Sequence, residues 1–172
     1  MVMTEILQIT IPALLVLVTA YILLDKMLKN DQNRRNYELR KSSLSVTTPL
    51  RLRAYERLML VIERTTPNKI IINIIQPEMT CFGLQAQLLS TIREEFSHNV
   101  SQQIYVSSEL WTAIRATEES LIKLINMCAS QFAPEMPAAA LAEHIIEIYT
   151  QSEKSPGEIA TEMLKKEVRE MM

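Results

Sequence analysis

Two glycines in 172 residues exclude more chemistry than any residue that is present. Phosphate loops, dinucleotide fingerprints and nucleophile elbows each need several glycines at fixed spacing, and none can be built here. Aspartate is confined to Asp25 and Asp31, so the chain beyond them cannot supply a Ser-His-Asp triad, and no nucleophile context invites a glutamate in its place. Cys81 and Cys128 are the only cysteines, far apart and flanked by apolar residues. A reactive thiol needs an electropositive surround, so both read as buried, reduced side chains, and no Cys–His pair is supported. A disulfide would require an oxidising compartment. Low glycine with abundant Glu, Leu, Ile, Ala, Gln and Met points to helix.

What is present is first a hydrophobic run. Residues 6–24, ILQITIPALLVLVTAYILL, carry no charge. Nineteen helical residues rise ~28 Å, close to the ~30 Å hydrocarbon core of a bilayer. A signal peptide would have a basic n-region, whereas Glu5 is the only charged side chain before the run. The run is also long for a buried core helix. It therefore reads as a transmembrane anchor, with Pro12 tolerated near its start.

The flanks set the expected orientation. Lys26, Lys29, Arg34, Arg35, Arg40, Lys41, Arg51 and Arg53 follow the run, against Asp25, Asp31 and Glu38. The positive-inside rule then places the C-terminal part in the cytoplasm and the N-terminus outside, as in a bacterial inner-membrane protein with one span. The same cations are candidates for contact with anionic headgroups, each contributing about 1 kcal/mol near the surface. From residue 54 onward the balance reverses, with sixteen glutamates against ten Lys and Arg. An acidic body behind a basic neck argues against nucleic acid as a partner.

The predicted organisation has three parts: a tail and anchor over 1–24, a basic juxtamembrane stalk and hinge over 25–48, and a helical domain over 49–172. The hinge is SSLSVTTP, residues 42–49, where hydroxyl-rich and β-branched residues end in proline. Thr48 would cap a new helix with Pro49 at its first position, burying Leu50, Ala54, Leu58, Val61 and Ile62. Leu52, Tyr55 and Met59 widen that apolar surface. KIIINIIQP has no partner strand elsewhere and reads as a short buried helix or an extended packing segment, strand remaining open.

A helix over about 82–103 follows, with Leu84, Leu88, Ile92 and Phe96 inward. Another, capped by Ser108, turns Leu110, Ile114, Leu121, Leu124, Ile125 and Cys128 inward, and Pro134 and Pro137 end it. Gln102, Gln103 and Tyr105 would form a polar junction near Glu109 and Trp111. AAALAEHIIEIYTQ buries Leu141, Ile145, Ile148 and Tyr149. Ser155 with Glu158 reads as a capping box opening a last helix whose stripe is Ile159, Met163, Leu164 and Val168. The fold class expected is all-α: a single transmembrane helix, a basic stalk, then a small antiparallel bundle.

One pattern hints at metal chemistry. Glu95 and His98 form an E-x-x-H, as in bundle-type di-metal carboxylate sites. Such a site needs a second copy, and near His144 the required glutamate position is Leu141. Glu143 and Glu147 do not complete it, so no cofactor or metal is expected.

PLRLRAYERLMLVIER and IREEFSHNVSQQIYVS together resemble an uncharacterised bacterial family of short, N-terminally anchored helical proteins. That resemblance implies no activity and carries over no catalytic or binding residue. The expected function is non-enzymatic: an accessory subunit or scaffold of a membrane-associated complex, with the bilayer, other subunits or its own copies as partners. The alternative is a membrane-tethered enzyme with a bundle metal site.

Overall fold

Every described element of the chain is helical. The structure, a computed structural model, describes residues 2–152 and 154–171; for residues 2–13 and 16 the description is of the backbone alone. Six α-helices run in order: α1 Val2–Thr65, α2 Pro67–Ile74, α3 Cys81–His98, α4 Ser108–Ala129, α5 Ala138–Gln151 and α6 Pro156–Met171, with a 3₁₀ segment Val100–Tyr105 between α3 and α4. Two compact units divide between Thr47 and Thr48.

The first unit is the leading part of α1. Its backbone is helical through the expected span, but residues 6–13 and 16 of that span lie outside the described side chains. Among the described residues, no helix is long and apolar enough to cross a membrane. Lys26, Lys29, Arg34, Arg35, Arg40 and Lys41 are all exposed. Lys29 pairs with Asp25 at 2.8 Å and Arg34 with Glu38 at 3.1 Å, each one helical turn away.

The expected hinge is corrected: residues 42–49 are helical, and no new helix begins at Pro49. The hydroxyls that suggested a break satisfy the helix instead. Ser45 Oγ donates to the Ser42 carbonyl at 2.7 Å, and Thr47 Oγ1 to the Ser43 carbonyl at 2.9 Å. Such back-bonding lets Ser and Thr sit inside a helix. Pro49 has no N–H, so the Ser45 carbonyl lacks its usual partner four residues on.

The second unit is all-helical. α1 stops at Thr65 because Pro67 cannot donate; Thr66 before it turns extended, and Pro67 begins α2. Of KIIINIIQP, the first six residues are thus helical, with Ile70, Ile71 and Ile74 buried, and Ile75 turns extended. Pro77 and Glu78 occupy a turn closed by Met79 N–H to the Gln76 carbonyl at 3.2 Å. Thr80 then caps α3, its hydroxyl accepting from Gly83 N at 3.2 Å. The start of α3 is pinned to the loop before α5: Cys81 N–H donates to the Met136 carbonyl and Ala138 N–H to the Met79 carbonyl, both at 2.8 Å.

α4 packs against α6 and α3, and α5 packs against α3, α4 and α2. Leu84, Leu88 and Ile92 of α3, Leu110 and Ile114 of α4 and Leu141 and Ile145 of α5 are fully buried, as their four-residue spacing requires. Truncating any one of these to alanine removes about 2–5 kcal/mol.

Several boundaries and faces differ from expectation. α3 ends at His98, where Asn99 Nδ2 donates to the Glu95 carbonyl at 2.9 Å and Asn99 N–H to Phe96, tightening the chain into the 3₁₀ segment. Ser107, not Ser108, caps α4. Leu50 and Ile159 are exposed; the bundle takes Tyr55 and Ala160 instead. The capping box is present: Ser155 N–H donates to Glu158 Oε2 at 3.1 Å and Glu158 N–H to Ser155 Oγ at 3.2 Å.

Among the described residues, Glu78 is the one non-glycine with positive φ, 65°. A left-handed L-residue costs about 1–2 kcal/mol, partly offset in glycine by its extra unfolded-state entropy. Glu78→Gly is therefore expected to stabilise the bundle by about 0.5–1 kcal/mol, read as a higher urea midpoint at unchanged slope. A lower midpoint would contradict the strained turn.

Candidate functional site

The face shared by α1 and α6 carries the most concentrated chemistry of the bundle. The two helices run antiparallel there. Gly157 lies against Ile62, Tyr55 bonds Glu167, and Arg51 shares a cleft with Met171.

Its centre is a polar clamp around Tyr55, whose ring is 1% exposed. Tyr55 Oη donates to Glu167 Oε2 at 2.9 Å and accepts from Arg51 Nη2 at 2.7 Å. Arg51 also lies over the Tyr55 ring, 5.7 Å from its centroid, and donates through Nε to the Tyr105 carbonyl at 3.0 Å. The other oxygen of Glu167 accepts from Ser107 Oγ, which in turn accepts from Leu110 N–H at 3.1 Å as the cap of α4. A single carboxylate thus joins α6 to α1 and to the first turn of α4. Burial, reinforced by the Glu167 carboxylate, holds the Tyr55 phenol above its ordinary value; the Arg51 guanidinium opposes this.

Beside the clamp lies a cleft of about 600 Å³, with Arg51, Glu109, Lys166 and Glu170 on its walls. On the other side of Tyr55 runs an apolar groove of about 660 Å³. Tyr55, Met59, Leu164 and Val168 line it, and Leu52 and Leu60 stand 40% and 49% exposed at its edge. Glu56, Lys165 and Arg169 complete the rim.

The sequence-derived metal candidates do not converge. Glu95 and His98 open on a separate cleft with Arg57 and Arg64, and Glu95 sits 3.9 Å from the Arg64 guanidinium. His144 lies on α5 with its ring edge-on to Phe132, centroids 5.6 Å apart. No group of three or more His, Cys, Asp or Glu that could hold a metal occurs among the described residues. Cys81 and Cys128 are buried and free, and burial pushes the Cys128 thiol up, away from the reactive thiolate.

The expected polar junction is present in altered form. Gln102 is buried and Gln103 exposed, but the partners that matter are Arg51, at the Tyr105 carbonyl, and Glu167, at Ser107. Sequence reasoning missed Glu167 and counted Arg51 among the membrane-facing cations, whereas it bonds Tyr55 and the Tyr105 carbonyl. Tyr55 and Glu167 stand 112 residues apart, and no local pattern links them.

The family model decides the relationship of the chain. It belongs to the family of unknown function DUF7935. The match covers residues 1–171, both units included. The resemblance to an uncharacterised family is thereby shown. No curated protein and no solved structure matches the DUF7935 chain.

The clamp makes a pH-dependent prediction. Because the folded Tyr55 phenol titrates above its unfolded value near 10, the neutral form contributes stability that is intact below pH ~10 and lost as pH rises through the folded value. Tyr55→Phe is expected to cost about 1–2 kcal/mol at pH 7, leaving Arg51 and Glu167 short of a partner. The deficit should narrow above pH 10 in urea titrations followed by Trp111 fluorescence. A constant deficit would show that the phenol is not held neutral by the fold.

Proposed function

We propose that this protein is a non-enzymatic interaction module tethered to a membrane, serving as an accessory subunit or scaffold of a membrane-associated complex. One observation carries the reading. The polar groups richest in chemistry on the α1–α6 face, Arg51, Tyr55, Ser107 and Glu167, bond to one another, while the adjacent Leu52 and Leu60 are left open along an apolar groove. Catalytic groups need an acceptor or donor free for substrate. Here those atoms are used to fasten helices together.

The tether is supported by the uncharged run over residues 6–24 and by the cations that follow it. In this reading residues 6–24 span a bacterial inner membrane, N-terminus outside. Lys26, Lys29, Arg34, Arg35, Arg40 and Lys41 meet anionic headgroups, and the bundle works in the cytoplasm. A metal-dependent enzyme finds no support in the placement of Glu95, His98, Glu143 and His144.

The test is carbonate extraction of native membranes followed by native mass measurement of the detergent-solubilised chain. The chain should stay in the carbonate-resistant pellet and run well above its 19.7 kDa with a stoichiometric protein partner. Release by carbonate would refute the anchor, and a partner-free monomer would refute the module.

A further inference from the structure

The α1–α6 groove has a shape and a charge that select one kind of occupant. Its walls are two helices whose backbone groups are already paired internally, so it offers no edge to an extended peptide. A segment entering it must satisfy its own backbone, as a helix does. The exposed edge from Leu52 to Leu60 spans nine residues of α1, a rise of about 12 Å. That length matches apolar anchors spaced i, i+4 and i+7 on a docked helix.

Charge narrows the choice further. The unit from residue 48 onward is acidic, with sixteen glutamates against twelve Lys and Arg. The groove departs from that balance, with Lys165 and Arg169 against Glu56. Lys165 and Arg169 lie one turn apart on α6, and neither forms an ion pair among the described residues. In the neighbouring cleft beyond Leu60, Arg64 is paired with Glu95 and Arg57 stands beside them. Unpaired cations beside an apolar floor favour a ligand that brings carboxylates to the rim.

We infer that the groove between α1 and α6 docks an amphipathic helix of another protein, its leucine-type face on Leu52, Met59, Leu60 and Val168 and its acidic flank on Lys165 and Arg169. This rests on the module reading and names the partner's chemistry.

The test uses two fluorescein-labelled synthetic helices with one leucine stripe, flanked by glutamate in the first and lysine in the second. Anisotropy is read on the full chain in neutral phosphatidylcholine nanodiscs, with binding to empty nanodiscs subtracted. The glutamate peptide should bind at least about tenfold more tightly, the ratio a difference of 1.4 kcal/mol produces. Leu60→Glu should weaken it about tenfold or more. Lys165→Glu with Arg169→Glu should transfer the preference to the lysine peptide; these side chains are exposed, and circular dichroism confirms that each variant folds.

Absence of binding, equal affinity for both peptides, or indifference to all three substitutions would overturn the inference. So would a concentration-dependent dimer abolished by Leu60→Glu, which makes a second copy the occupant. Binding only to phosphatidylserine vesicles, lost on reversing Lys165 and Arg169, would make the occupant lipid. A stoichiometric partner that survives Leu60→Glu while no peptide binds would reject the groove and leave the module reading standing.

Discussion

The hydrogen bond from Tyr55 to Glu167 is the contact on which the α1–α6 face depends. It closes a link between segments 112 residues apart, and it does so where the phenol is almost wholly out of water. A buried hydroxyl without partners would be costly, so the fold must bring Arg51 and Glu167 to the same point. Once there, Glu167 has a second oxygen to satisfy, and Ser107 supplies the donor. Capping of α4 and docking of α6 thereby become one event. α6 has its own capping box at Ser155 and Glu158, so it is a formed helix that the clamp places.

Placement of α6 creates the groove. Leu164 and Val168 line it in the same rotation of α6 that brings Glu167 to Tyr55. The same rotation turns Ile159 outward and buries Ala160. Polar fastening on one side and apolar exposure on the other are therefore linked. This is the physical basis for the proposed docking surface: the reactive-looking groups hold the geometry, and the apolar groups are left open.

Much of the bundle was legible in the sequence because its signals are local. Four-residue spacing placed Leu84, Leu88, Ile92 and Phe96 inward, and Ser155 with Glu158 announced a capping box; both appear in the structure. The hinge over residues 42–49 was misread because hydroxyl side chains can bond to helix carbonyls as readily as they can break a helix. The last stripe was misread by one position, since Ile159 outweighs Ala160 in hydrophobicity yet only the smaller residue sits where the helices approach. The site itself was not legible. Arg51 and Glu167 look like surface charges until the long-range pairing is known, whereas Glu95 and His98, adjacent in sequence pattern, share a cleft with arginines rather than with the second histidine.

The most direct measurement is amide hydrogen exchange on Glu167→Gln, which preserves the shape of the side chain but replaces one acceptor oxygen with an amide nitrogen. Amides of α6 and of the first turn of α4 should lose about tenfold or more in protection, while those of α3 and α5 keep theirs. Unchanged protection in α6, or an equal loss across all helices, would contradict a clamp that places α6 and builds the groove.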